Sequence, residues 1–333
     1  MSEKENCNSC EQFKTMIGGQ ALIEGIMMRG PEKDAVVCRT LDGLDIQVTD
    51  RRLPPEQSPL RWPLIRGVYN FFDAQITGVK ALLHSADLSP EEEVSEPGKF
   101  DQWLEKKLGN EKFQKFLVGS AVVMGIGLSV LLFFLLPMVI GGFFDRWIHS
   151  NVGINLIEGV IRMGIFMTYM VVISRMKEMK RLFAYHGAEH KTIRCYEARL
   201  PLTVENVRTQ SRLHPRCGTS FLLVVMILSI LVFSVASSVL LSAVPALEGM
   251  RGTLGYRLIM MSFKLLLIPL VVAFAYEINR WVGRRDNWLT KIVTAPGLWM
   301  QNFTTNEPDD DMIQVAITAV KAVLPEKEGA DAW

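Results

Sequence analysis

Four long apolar stretches decide what this chain can fold into. A helix needs ~20 predominantly apolar residues to cross the hydrocarbon core of a bilayer. Phe116 to Ile140, Ile154 to Ile173, Ser220 to Val244 and Leu258 to Ile278 meet that length. The third is the purest. The second carries Glu158 and Arg162, and the fourth carries Lys264 with Pro269 in its middle. Neighbouring helices can re-satisfy the backbone around such a proline. The expected fold class is therefore a mainly α membrane protein with about four transmembrane helices. A small cytosolic α+β region precedes them.

Orientation follows from the placement of lysine and arginine, which favour the cytoplasmic loops. The connection between the first two spans has only Arg146, and that between the last two has Arg251 and Arg257. The 174–219 connection carries ten lysines and arginines, and Arg280, Arg284, Arg285 and Lys291 lie at or just beyond the end of the fourth span. This places the 174–219 loop and both termini in the cytosol, with the chain multi-pass in the cytoplasmic (inner) membrane. The five cysteines, Cys7, Cys10, Cys38, Cys195 and Cys217, then all fall in a reducing compartment and form no disulfide framework. The N-terminus lacks the apolar core of a signal peptide. A net charge of +1 gives no global signature of a nucleic-acid binder, and none is expected as a partner.

The remaining segments sort by pattern. Residues 1–14 read as a polar tail, in which Cys7 and Cys10 are half of a zinc-ribbon signature without its other half. Residues 15–87 read as short strands at Ala21 to Ile23, Ala35 to Cys38 and Leu44 to Thr49, followed by an amphipathic helix after Pro63. That helix either packs in a core or lies in the membrane interface. Gly18-Gly19 and Arg29-Gly30-Pro31 read as turns, with Glu24 and Arg29 as a charge pair framing Ile26 to Met28. Residues 88–98 form a charged linker, 99–295 the membrane domain and 296–333 a cytosolic C-terminal segment. Met312 to Leu324 within that segment is a further amphipathic helix. Within the second span Glu158 and Arg162, at i and i+4, are expected to pair with each other. Lys264 needs a carboxylate, a carbonyl or water.

The chemistry-bearing residues sit in the basic loop. It opens on Tyr185-His-Gly-Ala-Glu-His-Lys191, where His186 and His190 share one helix face, one turn apart. That spacing lets two imidazoles hold one tetrahedral ion. Glu189, near the same face, can deprotonate a metal-bound water as general base. The loop closes on His214-Pro-Arg-Cys-Gly-Thr-Ser-Phe221, which adds His214 and Cys217 as two more candidate ligands on a turn. Glu277, at the end of the fourth span on the same membrane surface, is a candidate extra ligand or imidazole partner. The bland reading is that these are solvated histidines in a basic loop and an inert buried thiol. Four good ligands could also close a structural site.

Several of these runs together resemble the YqhQ-like family. They are Gly18-Gly-Gln-Ala-Leu-Ile-Glu-Gly-Ile-Met-Met-Arg-Gly-Pro31, the two loop motifs, Lys264-Leu-Leu-Leu-Ile-Pro269 with Tyr276-Glu277, and Thr304-Thr-Asn-Glu-Pro308. The likeness runs from about residue 15 to 325. It implies a bacterial integral membrane protein labelled as a metal-dependent enzyme, and it supplies no substrate. Together these readings lead to a membrane-embedded, metal-dependent hydrolase with zinc as the ion. His186, His190, His214 and Cys217 would be its ligands and Glu189 its catalytic base. Its substrate would be lipid-linked or a membrane protein, reached from the cytosol or the headgroup zone. The alternative is a non-enzymatic scaffold or assembly factor with a structural metal. A small transporter, suggested by Lys264 and Pro269, is a third reading weakened by the lack of repeats.

Overall fold

The computed structural model describes residues 13–88, 110–144, 147–148, 150–285, 287–327 and 329–332. Cys7, Cys10 and nearly all of the 88–98 linker lie outside these residues. The chain first forms an antiparallel meander, β1 (Gly18–Leu22), β2 (Gly25–Arg29), β3 (Lys33–Thr40) and β4 (Gly43–Asp50), in spatial order 1-2-3-4. Helix α1 (Ile65–Leu88) follows. The next helices are α2 (Asn110–Val130), α3 (Leu136–Gly141), α4 (Asn151–Ile173), α5 (Lys177–Glu197) and the short α6 (Val204–Arg208). Then come α7 (Gly218–Ala243), α8 (Leu254–Leu266), α9 (Ile268–Arg284), α10 (Trp288–Thr304) and α11 (Asp310–Val323). Among the described residues four helical segments are long and apolar enough to cross a membrane: Gly119–Gly141, Asn151–Ile173, Gly218–Ala243 and Leu254–Arg284. The fold is that of a mainly α membrane protein with a small four-stranded sheet.

Two compact units emerge. One comprises Met1–Ser89, Met170–Val225 and Val272–Trp333, and the other Pro90–Tyr169 and Met226–Val271.

The first unit is a sheet covered on both faces. Ile26, Met28, Ala35 and Val37 alternate onto one face and pack with Ala184, Tyr185 and Ala188 of α5 and with Val315, Ala316, Ala319 and Val320 of α11. Leu22, Met27 and Cys38 point to the other face and meet Ala81 of α1. Because β2 is buried on both faces, it reads as a continuous apolar run without alternation. That is why it was expected as a turn flanked by charges. Gly18 and Gly19, expected to turn, lie in β1 and pair with Arg29 and Met28. Glu24 and Arg29 do not pair. Glu24, at positive φ in the β1–β2 turn, accepts from Arg181, Tyr185 and Arg39, which fastens the turn to α5. Arg29 instead bonds Asp34 and Asp73.

Helix α1 uses its early residues differently. Asn70 Nδ2 donates to Tyr276 Oη at 2.9 Å, and the Phe71 and Phe221 rings lie 6.3 Å apart. Phe72, Ile76 and Val79 are exposed.

In the second unit the buried charges find partners inside the helices. Pro137 has no N–H to offer the carbonyl four residues back, Phe133. The local helix relaxes into a π turn over Leu131–Leu135. Arg162 Nε donates to Phe133 O at 2.7 Å, and its guanidinium lies over the Phe134 and Phe233 rings. Glu158 pairs with Lys264 instead of Arg162. The expected i, i+4 pair is thus replaced by two better-matched contacts. Arg162 serves an orphaned carbonyl, and the two point-like charges neutralise each other. The fourth span breaks at Leu267, between α8 and α9, where Pro269 cannot donate.

Candidate metal centre

The 174–219 segment is built around the helix α5, and eleven residues of that helix are buried. Residue spacing of 3.6 per turn puts His186 and His190 on one side, with ring centroids 4.3 Å apart. A mid-helix glycine costs ~1 kcal/mol relative to alanine, yet Gly187 separates the two motif residues His186 and Ala188. A Cβ there would lie 2.0 Å from the Asn306 carbonyl oxygen. The Thr304–Asn306 strap crosses α5 at this point, and the Asn306 N–H bonds Phe183 O at 2.8 Å. Glycine is therefore what lets the strap reach the histidines.

Each imidazole is oriented by a backbone carbonyl. His186 Nδ1 lies 2.8 Å from Thr304 O, and His190 Nδ1 lies 2.6 Å from Arg212 O. A carbonyl can only accept, so each Nδ1 carries the proton and each Nε2 presents a lone pair when the ring is neutral. His186 Nε2 lies 3.2 Å from Cys217 Sγ. His190 Nε2 is buried and has no hydrogen-bond partner. The ligand atoms of His186, His190 and Cys217 all lie within 4.8 Å of one another. Cys217 sits just before α7, and its sulfur accepts from the Thr219 N–H at 3.4 Å.

Glu189, next to His190 on α5, stands beside the group. Its Oε1 accepts from the Gly19 N–H at 3.0 Å, and its buried Oε2 has no partner. A Cβ on Gly19 would meet Met27 O at 2.6 Å and Glu189 Cδ at 3.0 Å, so the first strand must carry glycine to come this close. Burial raises the Glu189 carboxyl above its usual range, and the neighbouring His186 and His190 oppose that rise. Burial pushes the Cys217 thiol up, but the two imidazoles outweigh it and hold the thiol well below its usual value. Burial lowers His186, and the Cys217 sulfur outweighs that to raise it to about 9.

Two expected residues are not brought into this group. His214 Nε2 faces Glu197 Oε2 at 3.3 Å, and the His214 backbone is held by Gln301 from both sides at 2.7 Å. Its ring lies 5.6 Å from that of His190, so it stands beside the triad. Burial, then the charge of Arg194, lowers it to about 4. The turn at Pro215 explains the outcome: it sends the imidazole to Glu197 and the thiol to His186. Glu277 is taken by Arg66 and by the Leu64 N–H, so it serves the junction with α1. Conversely, Gly19, Gly187, Thr304 and Gln301 escape a reading based on ligand types. They act through backbone groups, close approach or an amide on the backbone. Gly19, Gly187 and Thr304 lie in the runs that carry the family resemblance, whereas Gln301 lies outside them.

The donor set fits a divalent ion of borderline softness. Two imidazole nitrogens and one thiolate suit zinc, whose binding would displace the His186 proton, and three protein ligands leave a fourth position open. Backbone carbonyls accepting from each Nδ1 are the arrangement that would fix these histidines as ligands.

These features define a polytopic membrane protein with a largely buried His-His-Cys group where α5 meets the Thr304–Asn306 strap and the Arg212–Cys217 segment. The chain belongs to the family of proteins of unknown function DUF1385, which matches residues 62–326. It is 32% identical over 315 residues to the uncharacterized protein YqhQ of Bacillus subtilis (strain 168), with 92% of each chain covered. No solved structure matches it.

Proposed function

We propose that the chain is a zinc-dependent hydrolase of the bacterial cytoplasmic membrane, with its site on the cytosolic side. The observation that carries this reading is the pair of orphaned buried atoms, His190 Nε2 and Glu189 Oε2, beside the His186–Cys217 contact. An unpartnered buried polar atom costs ~1–3 kcal/mol. Two of them on adjacent residues beside a His-His-Cys group support a site for an ion and a water.

His186, His190 and Cys217 would hold the zinc, which when bound supplies Lewis acidity and brings the pKa of a water ligand towards 7. Glu189 does the proton work. Its Oε1 is anchored by Gly19, so Oε2 is held still to take a proton from the attacking water and return it to the leaving group. Burial raises its proton affinity, which suits a group that must both accept and release. The lysine and arginine asymmetry supports a cytosolic site and cytosolic termini. The exposed Phe72, Ile76 and Val79 support α1 lying along the headgroup zone.

A scaffold with a structural zinc is the competing reading, and the depth of the group favours it: Glu189 is 5% exposed and His190 1%. Glu189→Gln separates the two. It keeps size and ligands but removes the base, a loss of roughly 10²–10⁴-fold in rate. In a deletion strain with a measurable phenotype, the variant should be made at wild-type level, keep its zinc and fail to complement. Full complementation by Glu189→Gln would assign the metal a structural role.

A further inference from the structure

Beside the triad lies a second feature that the proposed chemistry does not use. A cavity of about 400 Å³ opens next to His214, between the end of α5, the end of α9 and α10. Five cations line it, Lys14, Arg194, Arg216, Arg285 and Lys291, against the carboxylate of Glu197. Glu197 is already committed: Arg216 and the Thr15 N–H share its Oε1, and His214 faces its Oε2. Glu197 and Arg216 thus balance each other, and Arg194, Arg285 and Lys291 line the cavity with no further carboxylate among its described lining residues. Arg194 spends Nε on Leu213 O at 2.6 Å, which fixes its side chain and leaves the other guanidinium nitrogens to project. Arg285 lies over the Trp281 ring at 5.6 Å. Like charges gathered in a concave site raise the local positive potential and focus it on whatever enters.

We propose that this cavity binds the phosphate group of a phosphate ester. Arginine forks match phosphate oxygens in pairs, and a lysine adds a point charge. Small-ligand sites span roughly 300–1,000 Å³, so the volume suits a phosphate with a small attached group and excludes a polynucleotide. Val282 and Leu298 also line the cavity and give that attached group an apolar wall. The phosphate could be carried by a membrane lipid or by a soluble ester, which share the recognised chemistry. Because His214 lines the cavity and its ring is 5.6 Å from that of His190, the site would hold the substrate of the proposed hydrolase beside the metal group. That last step rests on the metal reading, whereas the anion site does not.

The test uses the full chain in a neutral detergent, stripped of metal by a chelator. Inorganic phosphate is titrated against thermal unfolding at constant ionic strength, with chloride as the reference. Wild type should be stabilised by phosphate beyond chloride. The double substitution Arg285→Gln and Lys291→Gln, at exposed positions, should weaken phosphate at least about tenfold, the equivalent of one lost charge-assisted contact. Arg175→Gln with Lys177→Gln, equal in charge and outside the cavity, should bind as wild type. A short-chain phosphatidylglycerol that competes with phosphate identifies a lipid source, and phosphate binding without such competition identifies a soluble ester. Absence of a phosphate-specific effect in wild type, or unchanged binding in the Arg285/Lys291 variant, overturns the proposal. Zinc content is measured on the same proteins before stripping. Phosphate binding without zinc would sink the metal reading alone, and zinc without phosphate binding would sink this one alone.

Discussion

Two regions of the molecule bury ionisable side chains, and among the described residues only one of them leaves two adjacent ones with unpartnered atoms. In the unit formed by Pro90–Tyr169 and Met226–Val271, Glu158 is paired with Lys264, and Arg162 is bonded to the Phe133 carbonyl and stacked on two phenylalanines. In the unit that carries the sheet, Glu189 and His190 are as deeply buried but keep Oε2 and Nε2 without partners. A membrane segment has no water to rescue an unmatched charge, so its matched charges are explained by the cost of leaving them alone. The unmatched pair has no such explanation. On the proposed function, the difference separates charges that hold helices together from groups kept for a ligand.

The largest effect should come from breaking the matched region. Lys264→Met leaves Glu158 buried and unpaired, a loss of about 3–5 kcal/mol. It should be read as a steep fall in membrane-inserted protein and in unfolding midpoint. Adding Glu158→Leu should restore most of that loss, since replacing both partners removes the uncompensated charge. If the double variant is no better than the single one, the pair does more than neutralise itself.

Next in size is Gly187→Ala. Its Cβ would collide with the Asn306 backbone, and overpacking of this kind costs about 1–3 kcal/mol. The strap carries Thr304 O, so His186 should lose its orienting bond and the protein its metal affinity. Retention of both stability and zinc would show that the strap does not position the histidine.

Smaller still is Arg162→Leu, which strands the Phe133 carbonyl at a cost of about 1–3 kcal/mol that the apolar atoms filling the space partly offset. A further Pro137→Ala restores a backbone donor for that carbonyl and should recover part of the loss. Zinc content should not change in either variant. A drop in zinc would contradict the division of roles between the two regions.

How much of this was legible in the sequence follows from the same contrast. The spans announce themselves because bulk apolarity survives any detail of packing. Lys264 was readable as a residue in need of a partner, but sequence distance hid that Glu158, 106 positions away, would reach it before Arg162 did. The triad was readable where side chains carry the chemistry: the i, i+4 histidines and the cysteine of the closing motif. It was unreadable where the backbone does, at the Gly19 N–H and the carbonyls of Thr304 and Arg212. The strand β2 was hidden for a third reason. Burial on both faces erases the alternation by which a strand is recognised.

The central claim is that His186, His190 and Cys217 hold one metal ion while Glu189 does not. Elemental analysis of the purified full chain tests it directly, with His190→Ala, Cys217→Ser and Glu189→Gln prepared beside wild type. The account predicts stoichiometric zinc in wild type and Glu189→Gln, and its loss in the other two without loss of the folded protein. Wild type devoid of metal, or zinc retained in both His190→Ala and Cys217→Ser, would contradict it.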